Sequence, residues 1–187
     1  LGVPKHLIQV AGETLLRRIA RQLSEIAPGS DVVISASDPR YDTEGARRHA
    51  PLVNELELDR FVPELIGDDV CFLYGDTFYS DAALTQIATD DVAELGFFGD
   101  EHGIVAVRAT DGGVLRAHLG RVRALFLAGE IDSCRGWQVY QSYMGLPFGQ
   151  GHPDVGLTRL AAPVVGFNTP EEYEAFVYSM KPLAIPA

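Results

Sequence analysis

Apolar residues recur every three or four positions at Leu15, Leu16, Ile19, Ala20, Leu23 and Ile26, behind Gly12-Glu13-Thr14 and ahead of Pro28-Gly29. That period describes a helix with one apolar face, closed by turn formers. The next stretch, Asp31-Val32-Val33-Ile34-Ser35, is short, β-branched and bounded by turn residues, which predicts a buried strand. From Ser37 to Pro51 the chain is polar, with Arg40, Tyr41, Arg47, Arg48 and His49, and reads as a loop with room for one helical turn. A helix is expected around Asn54 to Leu65, then a strand at Val70-Cys71-Phe72-Leu73-Tyr74. A second helix is expected from Ser80 to Ala88, with Asp81 near its positive end.

Further along, Phe97-Phe98-Gly99 and Gly103 to Arg108 read as two strands around the acidic turn Asp100-Glu101-His102. Val107 to Leu115 contains Asp111-Gly112-Gly113 and predicts a strand, a glycine turn and a return, so part of the sheet is expected to be antiparallel. Arg121 and Arg123 alternate around Val122, which favours one exposed side of a strand or the rim of a site. Arg135 to Met144 predicts a helix carrying Trp137, Tyr140 and Tyr143, either as core or as a wall of a binding site. Val164 to Phe167 is the last strand. Thr169-Pro170-Glu171-Glu172 then supplies a cap, a proline at the first helical position and acids at the positive end, which leaves Asn168 at the strand-to-helix corner. The alternation of helix and strand predicts an α/β layer structure, and no internal repeat is present.

Length and composition fit one globular domain: 187 residues, 47% apolar and 22% charged, enough to bury a full core. No run approaches 18 apolar residues and no basic segment feeds an apolar stretch, so neither a membrane span nor an export signal is visible and a cytoplasmic location is the expectation. Cys71 and Cys134 have neither metal-ligand spacing nor a disulfide pattern and read as free thiols. A net charge of -11 disfavours a nucleic-acid partner, whose binding relies on clustered Lys and Arg. It still permits a single nucleotide where Mg²⁺ or a local cation supplies the positive charge.

The candidate chemistry starts at Gly75-Asp76-Thr77. A strand that ends in glycine and then a carboxylate puts a charge at its C-terminal edge, where open α/β sheets keep ligands, and this points to a metal-binding aspartate. A turn cap is the plainer reading of Asp76. Lys5, following Pro4, can present a point charge to a phosphoryl group, or can be a solvated lysine.

Pro4-Lys5 with His6-Leu7-Ile8-Gln9-Val10, then Gly12-Glu13-Thr14-Leu15-Leu16, Leu73-Tyr74-Gly75-Asp76 and Asn168-Thr169-Pro170-Glu171-Glu172-Tyr173 run in order over nearly the whole chain. In that order and spacing the sequence resembles the nucleotidyltransferase superfamily that activates sugars and similar phosphorylated alcohols, in its short MobA-like form. The resemblance implies one domain over residues 1–187 with a three-layer α/β/α, Rossmann-like fold of the nucleotide-diphospho-sugar transferase (GT-A-like) type and a mostly parallel mixed sheet. It also implies a central strand and a glycine-rich loop just before the Pro-Lys pair. The numbered residues open at Leu1-Gly2-Val3-Pro4-Lys5 without them, and the expectation is that both belong to a longer protein rather than that the chain is an inactive remnant.

By the same resemblance Lys5 and Gly75 lie against the nucleotide phosphates and Asp76 holds Mg²⁺. Asn168, or Asp154, supplies the opposing oxygen; otherwise Asn168 is an ordinary helix cap. The implied reaction is attack by a phosphorylated acceptor on the α-phosphorus of a nucleoside triphosphate, with release of pyrophosphate. Arg40, Arg47, Arg48 and His49 are candidates for the acceptor's phosphate, each also readable as a solvated loop residue. Two rivals stand beside this reading: a metal-dependent glycosyltransferase, although no second acid follows Asp76 until Asp81, and a nucleotide-binding regulatory domain without turnover. A homodimer through the expected hairpin between Asp100 and Leu115 is a further expectation.

Overall fold

The computed structural model describes residues 2–100, 103–149, 155–167 and 169–180. The chain enters through a 3-10 turn at Lys5–Leu7. A two-residue antiparallel hairpin follows, β1 (Gln9–Val10) and β2 (Glu13–Thr14), closed by Ala11 and Gly12 at φ 53° and 83°. Thr14 Oγ1 then accepts from the Arg17 amide at 3.2 Å and starts α1 (Leu15–Ile26), which buries Leu15, Leu16, Ile19 and Ala20 as the three-four spacing requires. Strand β3 (Val33–Ser35) pairs in parallel with β4 (Arg47–His49), a strand that lies inside the stretch expected to be loop. The single turn anticipated there is a 3-10 turn at Pro39–Tyr41.

The helix expected around Asn54 to Leu65 does not form. Two 3-10 turns, Glu57–Arg60 and Pro63–Leu65, stand in its place. The cause is local: Asp59 Oδ2 folds back to accept from the amides of Glu55 and Leu56, each at 2.8 Å, and Pro63 has no amide with which to continue a helix. After β5 (Val70–Leu73) and β6 (Thr77–Tyr79), Ser80 caps α2 (Asp81–Thr89). β7 (Leu95–Gly99) and β8 (Ile104–Ala109) form the antiparallel pair read from sequence, while Glu101 and His102 of their turn lie outside the described residues.

The glycine turn expected after Val107 is instead the start of a helix. Asp111 Oδ1 accepts from the Gly113 and Val114 amides at 2.8 and 3.1 Å and begins α3 (Gly112–Leu127). Gly112 fits there because a Cβ would lie 2.5 Å from the Gly67 carbonyl oxygen. Arg121 and Arg123 are therefore helical rather than on a strand, and Arg123 is hydrogen-bonded to the buried Asp59 carboxylate. The return strand expected at Val114-Leu115 is thus the first turn of this helix. The chain continues through α4 (Gly136–Met144), β9 (Leu157–Arg159) and β10 (Val164–Gly166). α5 (Pro170–Ser179) closes the described chain, its N-terminus held by reciprocal hydrogen bonds between Thr169 and Glu172.

The result is a mixed α/β fold with an open mixed sheet in the order β5-β8-β7-β9. The expectation of a mostly parallel sheet does not hold among the described residues: β3-β4 and β7-β9 are parallel, whereas β1-β2, β6-β10, β5-β8 and β7-β8 are antiparallel. Side chains alternate across this sheet. Phe97 and Val107 pack with Leu115, Val122, Val139 and Tyr140 beneath α3 and α4, while Phe98 and Ala106 pack with Ile19, Leu84 and Ile87 beneath α1 and α2. Trp137, Tyr140 and Tyr143 belong to the first of these layers and are core. Among the described residues no helix is long and apolar enough to cross a membrane.

Candidate functional site

A cleft opens among the described residues. It has a volume of about 860 Å³ and runs between β3 and β5, with α1 and α2 along one side. β3 is paired only with β4 and β5 only with β8, so among the described residues the two strand edges facing the cleft have no sheet partner.

The mouth of the cleft is built by the turn that ends β5. Tyr79, fully buried on β6, accepts from the Tyr74 amide through its hydroxyl at 3.0 Å and donates to the Val105 carbonyl at 2.6 Å. Together with the Thr77 amide bond to the Tyr74 carbonyl (3.2 Å), this fixes the Tyr74-Gly75-Asp76 turn to the sheet. Burial raises the Tyr79 phenol far above its usual pKa, so it remains a neutral clamp.

Gly75 is where two distant parts of the chain meet. A Cβ at this position would lie 3.0 Å from His6 Cδ2 and 3.0 Å from Leu16 Cδ2, so the absence of a side chain lets the N-terminal turn settle on the strand end. His6 stacks edge-on against Tyr41, with ring centroids 5.4 Å apart. Burial pulls its pKa below the ordinary histidine value; the Asp76 carboxylate opposes that shift, while Arg60 and Lys5 add to it. The imidazole is therefore neutral at pH 7 and lies within electrostatic range of one carboxylate and two cations.

Of the residues singled out from sequence, Lys5 opens the 3-10 turn that carries His6, and Gly75 and Asp76 line the cleft. Asn168 and Asp154 lie outside the described residues. Of the loop cations, Arg47 lines the cleft together with its partner Asp31, and Arg40, Arg47 and Arg48 pair with Asp38, Asp31 and Asp42, each at 2.6 Å, while His49 pairs with Glu64 at 3.1 Å. Arg60 and His6 were not assigned roles from sequence. His6 stood one residue beyond the lysine of the motif, a usable signal for a titratable group at a phosphate site. Arg60 carried no such signal, because its position depends on the break at Pro63.

Among the described residues no three His, Cys, Asp or Glu side chains gather to hold a metal. Mg²⁺ does not need three: it commonly uses one or two carboxylates and fills its remaining positions with water and phosphate. The Asp76 carboxylate is half-buried at the mouth of the cleft, a hard oxygen donor of the kind such a cation takes. Deeper in the groove, Cys71 can be touched by solvent yet is enclosed by protein on most sides, and burial pushes its thiol up to about 12. It is not a nucleophile at neutral pH. Comparison of the chain with protein families, curated proteins and solved structures finds no match.

Proposed function

We propose that the chain is a Mg²⁺-dependent nucleotidyltransferase that condenses a nucleoside triphosphate with a phosphorylated sugar or similar phosphorylated alcohol. In this reading its domain is of the three-layer, GT-A-like type and it acts in the cytoplasm. The observation that carries the reading is the meeting of Lys5-His6 with Gly75-Asp76, motifs some 70 residues apart in sequence, at the mouth of one cleft.

A phosphate oxygen of the acceptor attacks the α-phosphorus; the new P–O bond forms as the bond to pyrophosphate breaks, and pyrophosphate leaves with the bonding pair. The acceptor phosphate is ionised near neutral pH, so no general base is required. The residues have to align the two anions and offset their charge. Asp76 would hold Mg²⁺, which supplies charge neutralisation between the phosphates. Lys5 and Arg60, both within electrostatic range of His6, would contribute cationic charge, Arg60 alongside its pairing with Glu57 at 3.6 Å, and neutral His6 can donate or accept a hydrogen bond without repelling them.

The test is a pyrophosphate-release screen with Mg²⁺, each common nucleoside triphosphate and a panel of phosphorylated alcohols. Release that requires both a triphosphate and an acceptor supports the reading. Consumption of a nucleotide sugar, or tight nucleotide binding without product across the panel, would contradict it.

A further inference from the structure

We propose that Tyr74, Arg60 and Arg135 form a binding site for the phosphate of a phosphomonoester at the mouth of the cleft, beside Asp76. Its assignment to the acceptor rests on the reading above; the site itself stands on these side chains and is tested without turnover.

Three elements distant in sequence meet there. The 3-10 turn Glu57–Arg60 supplies Arg60, β5 runs directly into Tyr74, and Arg135 precedes α4. Gly136 lets them come together: a Cβ on it would lie 2.8 Å from the Tyr74 hydroxyl oxygen and 3.4 Å from the Phe61 ring, so a side chain here would push the start of α4 off both. Glu57 spans the two arginines, with one carboxylate oxygen 3.0 Å from Arg135 Nε and the other 3.6 Å from Arg60 Nη1. The Tyr74 phenol is within electrostatic range of Arg60, Glu57 and Asp76, and Tyr74, Arg60 and Asp76 all line the cleft.

The chemistry of these groups selects the ligand. A guanidinium carries five N–H donors in a fixed fork, and Glu57 meets one nitrogen of each arginine, so donors remain on both for a second anion. One carboxylate between two guanidiniums also leaves the pair attractive to negative charge. Burial raises the Tyr74 phenol above its usual pKa, with Arg60 opposing and Glu57 and Asp76 adding to the shift, so it stays an O–H donor through the neutral range. A phosphomonoester brings three acceptor oxygens and close to two negative charges, which suits donors arriving from three elements; a carboxylate has only two oxygens to offer. Asp76 faces the same phenol and works against an anion, an effect that gives the site a second signature.

The test is inorganic phosphate titrated into the metal-free protein at constant ionic strength, followed by amide chemical shifts. The proposal expects the largest shifts at Tyr74–Asp76 and Gly136, with binding weakened about 10-fold in Arg135→Gln and about 5-fold in Tyr74→Phe. Asp76→Asn should tighten phosphate in the absence of metal. Arg17→Gln, which removes an exposed guanidinium paired with Glu44, should change binding by less than about twofold. Equal weakening by Arg17→Gln overturns the site, as do unchanged binding in Arg135→Gln and Tyr74→Phe or shifts confined to other residues. Under turnover, the acceptor KM should rise in Arg135→Gln while the triphosphate KM holds; a rise in the triphosphate KM alone gives the site to the nucleotide and overturns its assignment to the acceptor. Phosphate bound at these residues, with no pyrophosphate released from any pair of substrates, contradicts the nucleotidyl reading and leaves the site standing.

Discussion

β5 and β7 flank the same central strand, β8, and are equally apolar, yet they fare differently. On β7, Leu95, Phe97, Phe98 and Gly99 are buried, whereas Val-Cys-Phe-Leu of β5 has no buried residue and Cys71 is exposed. The difference is one of neighbours rather than composition. β7 has strands on both sides, β8 and β9; β5 has β8 on one side and the groove on the other. An apolar sequence buries itself only when its edges and faces are both covered, so β5 has the sequence of an interior strand in the position of an edge.

The sharpest way to separate the two regions is to perturb chemistry on one side and packing on the other. Asp76→Asn at the mouth of the groove is expected to lower pyrophosphate-forming turnover by about 10³-fold while stability changes by less than about 0.5 kcal/mol. A steady-state assay and a urea titration read the two effects.

Phe97→Ala in the closed part of the sheet is expected to destabilise by about 3–5 kcal/mol, because a fully buried ring leaves a cavity among close-packed neighbours. Phe72→Ala on β5, a half-buried ring, is expected to lose about half as much. Equal losses in the two variants would break the contrast between the strands.

Smaller effects refine the mouth. In Gly75→Ala the new methyl lies 3.0 Å from His6 and from Leu16, so a loss of about 1 kcal/mol and a rise in KM for the triphosphate are expected. His6 and His118 both hold pKa values below the ordinary 6.5 through burial. The unfolded chain then binds more protons than the folded one between the folded-state values and 6.5. Stability is full above that window and declines as pH falls through it. His6→Asn should flatten part of the decline in Tm measured from pH 7.5 to pH 5.

The regular elements with strong local signals were legible in the sequence. Thr14 before the Leu15–Ile26 periodicity, Ser80 before α2 and the Thr169-Pro170-Glu172 box each reported a helix start, because capping is a short-range interaction between named side chains and amides. α3 was misread. Asp-Gly-Gly after a β-branched run is also a hairpin signal, and Arg121 and Arg123 mimic strand alternation; only the longer spacing of Leu115, Leu119 and Val122 carried the helical period. The turns at 57–65 follow from Asp59 bonding back to the Glu55 and Leu56 amides and from Pro63, local signals that were present but not read as helix breakers; the further bond from Arg123 to Asp59 is tertiary. At the site, Gly75 and Asp76 were readable from the strand that precedes them. The packing of His6 on Gly75 and the placement of Arg60 are tertiary and were not.

The central claim is that Asp76 and the Lys5-His6 turn form one metal-assisted nucleotide site, and electron paramagnetic resonance of Mn²⁺ titrated into the protein tests it most directly. The account predicts that Mn²⁺ binds tightly only together with a nucleoside triphosphate and that Asp76→Asn weakens this joint binding by about 10- to 100-fold. Unchanged Mn²⁺-nucleotide binding in a folded Asp76→Asn protein would contradict it.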